Sequence, residues 1–323
     1  MEESIMKRNI AFLILLFLAV IIACAPTTGS RYREGDNIGQ EVAMTVDDER
    51  RLTEEALPQM RKDYPPLKNQ DLQRYISDLG MKIIRANNLE GNPYHYDFEV
   101  VDVDTVNAFA MPAGKIFVTA PLIAMASNEA ELAGVLGHEI GHVVARHTAE
   151  RMYVMEKEKN KTWLYTAGGG VFGAAAGFGL GTLLCPDGDA ECLAKAALIG
   201  GMIGAGGGLL VQKYRFMANS REDELEADRI GFRTAVAAGY DKDEVGKFYE
   251  KLLKMEKSAQ QSGNPVLRSI ADAMSTHPPS DERVRQMNEM AAESPTVKNS
   301  ITTTAEFNRI KQIAVALQKR EIR

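Results

Sequence analysis

Apolar residues recur at three- and four-residue spacing in several stretches of the chain, and each such stretch predicts a helix with one buried face. From Glu129 to Val144 they are Leu132, Val135, Leu136, Ile140, Val143 and Val144, with Asn128 and Glu131 as a capping-box signal at the start. Asn69 to Ala86 repeats the pattern through Leu72, Tyr75, Ile76, Leu79 and Ile83. Another helix should follow the cap Asp241 and Glu244, burying Val245, Phe248, Tyr249, Leu252 and Leu253 before a loop over Gln260 to Pro265. Ser280 to Met287 also reads as helical. Two stretches, Tyr96 to Val103 and Lys115 to Thr119, read instead as strands. Ala113 and Gly114 form the expected turn between the second of these and Ala108–Met111. The sum is a mostly helical α+β domain with a small sheet.

Three hydrophobic stretches do not fit that scheme. Ile10 to Ala23 is uncharged, follows Lys7 and Arg8, and is short for a bilayer span, so it reads as a signal-peptide core. Its end, Ile21-Ile22-Ala23-Cys24, resembles a bacterial lipobox, which would make Cys24 the lipidated first residue of the mature protein. An uncleaved membrane anchor is the alternative. Glu2 and Glu3 are awkward in a basic leader, so Met6 is a second candidate start. The same resemblance favours the outer membrane, because Ala25 stands where an aspartate would suggest inner-membrane retention. Residues 24–45 are then a polar tether. Trp163 to Leu184 and Leu193 to Val211 are Gly-rich and carry one charge between them, Lys195. Each is long enough for a membrane helix. A hairpin over 163–211 packed beside the other helices is preferred to a transmembrane one, because the lipid would already anchor the chain.

Composition adds limits. The length of 323 residues allows one large or two small domains, and the net charge of −6 gives no reason to expect a nucleic-acid partner. With Cys24 used for lipid, Cys185 and Cys192 remain, and in an oxidising compartment they should pair. Closing so small a loop contributes about 2.5 kcal/mol in the chain-entropy picture.

The strongest chemical signal is His138-Glu139-Ile140-Gly141-His142, on the predicted helix. Residues four apart on a helix share a face, so His138 and His142 can bind one metal ion, with Glu139 beside it as general base. Gly137 and Gly141 flank the histidines and point to close backbone approach, by a substrate or a second helix. A catalytic zinc needs a third protein ligand. His147 is a poor candidate: nine residues past His138, it would fall on the opposite side of a continuing helix, as a surface or packing histidine. A better one lies in Ser220 to Asp228. Ser220 and Asp223 suggest a capping box, and Glu224 and Asp228 share a face. Glu224 could bind metal while Asp228 fixes a ligand histidine through its ring N–H. Periodicity alone also permits a merely acidic, solvated helix.

Four stretches together resemble the prenyl-protease-like family of zinc metallopeptidases, in its soluble periplasmic branch. They are Asn107 to Gly114, His138 to His142, Ser220 to Asp228 and Thr276-His277-Pro278-Pro279-Ser280, spanning roughly positions 70 to 290. Pro112-Ala113-Gly114 stands where many relatives have Pro-Gly-Gly. The resemblance implies a zincin-type fold and one zinc held by His138, His142 and Glu224. Glu139 would be the base, and Asp228 would support a ligand histidine from behind. It also implies peptide-bond hydrolysis on polypeptide substrates. The expected metallopeptidase domain is 46–290, followed by a short helical tail over 291–323, too short for the helical repeats that some relatives append.

Function and mechanism follow as expectations. The chain should be an endopeptidase of the cell envelope that removes misfolded or misassembled proteins, with the outer-membrane assembly machinery as a candidate partner. A zinc-dependent chaperone or adaptor is the alternative, although such a protein has no chemical need for Glu139. An extended substrate would lie along an edge strand, for which Gly114, Lys115, Ile116, Phe117 and Val118 are the candidate; an ordinary structural hairpin is the other reading. His277, held in a proline-fixed loop, could donate to the oxyanion, occupy the open metal position as a latch, or simply bond nearby backbone.

Overall fold

The structure is a computed structural model, which describes residues 45–91, 93–151, 220–262 and 277–321. The leader, Cys24, the Gly-rich stretches and the pair Cys185 and Cys192 lie outside the described residues. Every predicted helix that falls inside them is present. α1 (Val46–Asp63) precedes α2 (Gln70–Ala86), and α3 (Ala120–Met125) precedes α4 (Glu129–Val144). α5 (Arg221–Ala237), α6 (Lys242–Val245), α7 (Lys247–Ser262), α8 (Asp281–Glu293) and α9 (Ala305–Glu321) follow.

A small sheet sits beside these helices. β1 (Asp97–Val101), β2 (Ala108–Ala110) and β3 (Lys115–Thr119) are ordered β1-β3-β2, with β3 parallel to β1 and antiparallel to β2. The expectation that Gly114 to Val118 forms an edge is therefore corrected. Lys115 to Thr119 is the central strand, and its backbone is used on both sides. The outer side of β1 is also covered, since Leu67 N–H donates to Val100 O (2.9 Å) and the Gln73 side chain brackets Val100. Among the described residues β2 is the edge left. Met111 N–H donates to Lys115 O and Thr119 N–H to Asn107 O. Alternation in an antiparallel ladder then directs the backbone groups of Ala108 and Ala110 away from β3.

α4 and α5 form the centre of the molecule, and they can approach only because both carry glycine. A Cβ on Gly137 would lie 2.6 Å from Gly231 O, and one on Gly231 would lie 2.6 Å from His138 N. The close approach anticipated at Gly137 and Gly141 is thus to a second helix. Caps fix where each helix begins. Asn128 accepts from Glu131 N–H at the start of α4, while the Glu131 carboxylate accepts from Ser127 N–H one residue further out. Ser220 and Asp223 form the full capping box expected for α5.

Three features depart from the sequence pattern. The helix after Asp241 is broken at Gly246, where a Cβ would meet Met287 at 2.9 Å. The expected C-terminal tail belongs to the body: Phe307, Ile310 and Ala314 are fully buried, and Thr302 O accepts from Ala130 N–H at the start of α4. α1 adds a second, smaller core in which Ala56 and Met60 meet Val101, Met111 and Phe117. Its polar residues also face inward. Thr53 donates to Pro112 O (2.8 Å), tying α1 to the β2–β3 turn where Ala113 has φ of 62°.

Candidate metal centre

α4 presents His138 and His142, α5 presents Glu224, and the loop before α8 presents His277. Their ligand atoms lie within 4.8 Å of one another. His138 Nε2 is 3.0 Å from His142 Nε2 and 3.3 Å from Glu224 Oε2, and His142 Nε2 is 3.3 Å from Glu224 Oε1. Ligands 2.0–2.1 Å from a tetrahedral ion are about 3.3 Å apart, so this spacing fits a single zinc-sized cation. The donor set of two imidazoles and one carboxylate also suits that ion. His277 Nδ1 is 2.9 Å from Glu224 Oε1 and 3.3 Å from His138 Nε2, and so stands as a fourth donor. Glu139, 2% exposed, has its Oε2 without a partner and its Oε1 3.6 Å from His277 Nε2. A buried carboxylate oxygen left in that state is placed to take a proton from water at the centre.

A ring of buried charge holds these groups. His138 turns Nδ1 towards Asp228 Oδ1 at 2.8 Å, the arrangement anticipated for the acid one turn beyond Glu224. Arg283, from α8, reaches both acids of α5. Its Nε and Nη2 each bond Asp228 at 2.7 Å, and its Nη1 lies 2.7 Å from Glu224 Oε2. The same Nη1 donates to Pro278 O (3.2 Å), fixing the loop that carries His277. Tyr249 stacks over the guanidinium, 4.6 Å from ring to Cζ. Burial opposes ionisation of both acids, but His277, Arg283 and His138 hold Glu224 well below the usual carboxylate range, and Arg283 holds Asp228 down. Burial likewise opposes protonation of His138, yet Glu224 and Asp228 raise its pKa to about 9. His142, by contrast, is held far below the usual range by burial and by the neighbouring His138. Without a metal the cavity thus holds Glu224 and Asp228 ionised, balanced by Arg283 and a protonated His138, so a bound cation would take the place of the His138 proton.

The structure corrects the position of His147. It is buried, and its Nδ1 is 2.8 Å from His142 Nδ1 while its Nε2 is 3.1 Å from Glu226 Oε2. Helical periodicity does not extend to it, because α4 stops at Val144 and Arg146 takes φ of 54°, turning the chain back. His147 packs against His142 from outside the set of donors, a packing histidine as expected, but it reaches that place by the turn at Arg146 and not by lying on the far side of a continuing helix. Arg283 carries no sequence signal: it shares an amphipathic helix with Arg285, and both read as solvated.

The fold and site define a class, and comparison with known proteins places the chain in it. Residues 66–291 match the model of Peptidase family M48, and the chain belongs to that family. It is 29% identical over 241 residues to the beta-barrel assembly-enhancing protease of Escherichia coli, covering 75% of this chain and 43% of that protein. The protein of the same name from Yersinia pestis is 30% identical over the same shares. The mitochondrial metalloendopeptidase OMA1 of Arabidopsis thaliana is 33% identical over 198 residues, covering 61% of this chain and 32% of that protein. The chain thus spans less than half the length of these relatives.

Proposed function

We propose that this chain is a zinc-dependent endopeptidase of the bacterial cell envelope, acting on misfolded or misassembled proteins. The observation that carries the reading is the triangle of His138, His142 and Glu224 at 3.0–3.3 Å beside the unpartnered oxygen of Glu139. Zinc held by those three residues would supply Lewis acidity, lowering the pKa of water and polarising a carbonyl. Glu139 takes the water proton and hands it to the leaving amine. Asp228 fixes the His138 ring through Nδ1, and Arg283 fixes Asp228. An extended substrate adds as a strand to the free edge of β2, at Ala108 to Ala110, in place of the central strand first expected to serve.

His277 holds this arrangement latent by standing as the fourth donor, and it swings to an oxyanion donor once substrate arrives. Its present position among the other ligand atoms supports the latch. Purified protein should hydrolyse unfolded casein, lose that activity to a chelator and regain it with zinc. In the same assay His277→Ala should release basal self-cleavage while lowering turnover of added substrate by about 100-fold, the usual effect of losing one oxyanion donor. Unchanged behaviour on both counts would leave His277 a packing neighbour of Glu224 and not the backbone-bonded residue that was the other expectation, since its ring lies 2.9 Å from that carboxylate. Casein left intact by zinc-loaded protein would exclude the peptidase.

The envelope location rests on the lipobox-like Ile21 to Cys24 and on relatives named for beta-barrel assembly. Lipid on Cys24 tethers the chain to the outer membrane, and Cys185 pairs with Cys192. Among the described residues no helix is long and apolar enough to cross a membrane. Mass spectrometry of membrane-extracted protein should find a lipidated N-terminal Cys24, and thiol labelling should find Cys185 and Cys192 blocked until reduction. An unmodified Cys24, or free labelling of the other two, would remove the corresponding statement.

A further inference from the structure

A small half-open cavity adjoins the metal centre on the side of β2, and nothing in the chemistry above uses it. Its walls come from three parts of the chain. Met111, at the end of β2, and Val143, near the end of α4, supply apolar surface. His142 borders it, and Glu49 and Arg146 close one side. The space it leaves for the centre of a water molecule is about 10 Å³, room for one water.

The Glu49 wall is built rather than incidental. Glu49 is 2% exposed and accepts from Arg146 Nε at 2.7 Å, with Nη2 of the same guanidinium also on its Oε1. It accepts as well from the backbone of Ala113, the residue at positive φ in the turn after β2. One carboxylate therefore ties the free edge strand to the chain leaving α4, and so sets the width of the gap between them. Glu49 lies on α1, before residue 66, outside the stretch that matches the family.

We propose that this cavity is the subsite for the substrate side chain adjoining the scissile bond, and that it selects a small neutral side chain such as alanine or serine. The inference rests on the peptidase reading above. A strand laid along Ala108 to Ala110 runs directly past Met111, and the residue that reaches His142 there is next to the bond being cut. Size follows from the narrow inner space, which takes a methyl or hydroxymethyl group without moving Met111 or Val143. Charge follows from the Glu49–Arg146 pair, whose two charges already compensate each other. An incoming charged side chain would find no unpaired partner and would lose its hydration.

The test uses zinc-loaded full-length protein and a peptide library varied at each position about the cleavage point. One position should favour alanine, serine and glycine, with kcat/KM falling about tenfold or more from alanine to leucine. Met111→Ala deepens the cavity and should recover at least tenfold for leucine relative to alanine. Thr148→Leu narrows the cavity from a partly exposed lining position, where folding is least at risk, and should shift preference from alanine towards glycine. Cleavage with no small-residue preference at any position, or the same profile in both variants, would overturn the subsite alone. No cleavage of any peptide would overturn the peptidase reading and the subsite with it.

Discussion

Glu139→Gln should keep the full metal content of the protein and lose about 100- to 10,000-fold in peptide hydrolysis, the range general-base catalysis contributes. The substitution is isosteric at a side chain that is almost wholly buried, so it leaves the packing around α4 in place. It removes only the ability to accept a proton, because the Glu139 carboxylate is not among the ligand atoms grouped at the centre. His138→Ala, His142→Ala and Glu224→Ala should behave differently, losing metal and activity together. Metal analysis of the four variants beside casein hydrolysis separates the two roles. Normal turnover in Glu139→Gln would sink the mechanism, and tight zinc binding by Glu224→Ala would move the third ligand elsewhere.

Arg283→Met should cost about 3–5 kcal/mol of stability, the range for removing one partner of a buried ion pair. Arg283 is 2% exposed and touches Asp228, Glu224 and the backbone of Pro278, so its loss leaves two buried carboxylates facing each other and frees the His277 loop. The loss should be larger for metal-free protein, since a bound cation replaces part of the missing charge beside Glu224. Metal affinity should fall by about 10- to 100-fold, as expected when the group supporting a ligand is removed. Arg283→Lys should rescue little, because one ammonium cannot reproduce the paired contacts of Nε and Nη2 with Asp228. Thermal unfolding with and without zinc measures both effects. A native midpoint and native affinity in Arg283→Met would show that the acids of α5 stand without it.

Local rules carried the elements that hold the chemistry. The caps at Asn128 and Ser220, the apolar stripe of α4 and the turn at Ala113–Gly114 depend on residues a few positions apart, and a linear reading contains all of that information. The same holds for His138 and His142, whose shared face is fixed by helix geometry. Helix α1 escaped for a physical reason. Its inward face is Glu49, Thr53, Ala56 and Met60, a regular helical stripe whose first two members are polar and so carry no hydrophobic signal.

What the sequence by itself determined is the identity of the catalytic helix, the spacing of its two histidines and the candidacy of Glu224, Asp228 and His277. Among the described residues the tertiary structure alone decided which strand has a free edge, because β1 pairs with the far side of β3 and so leaves β2 outermost. It decided that His147 returns to His142 through a single left-handed residue, Arg146, which no periodicity can foresee. It also decided that Arg283 and Glu49 are buried partners rather than surface charges. Burial is a property of what packs on top of a residue, and in both cases the covering atoms come from chain more than fifty positions away.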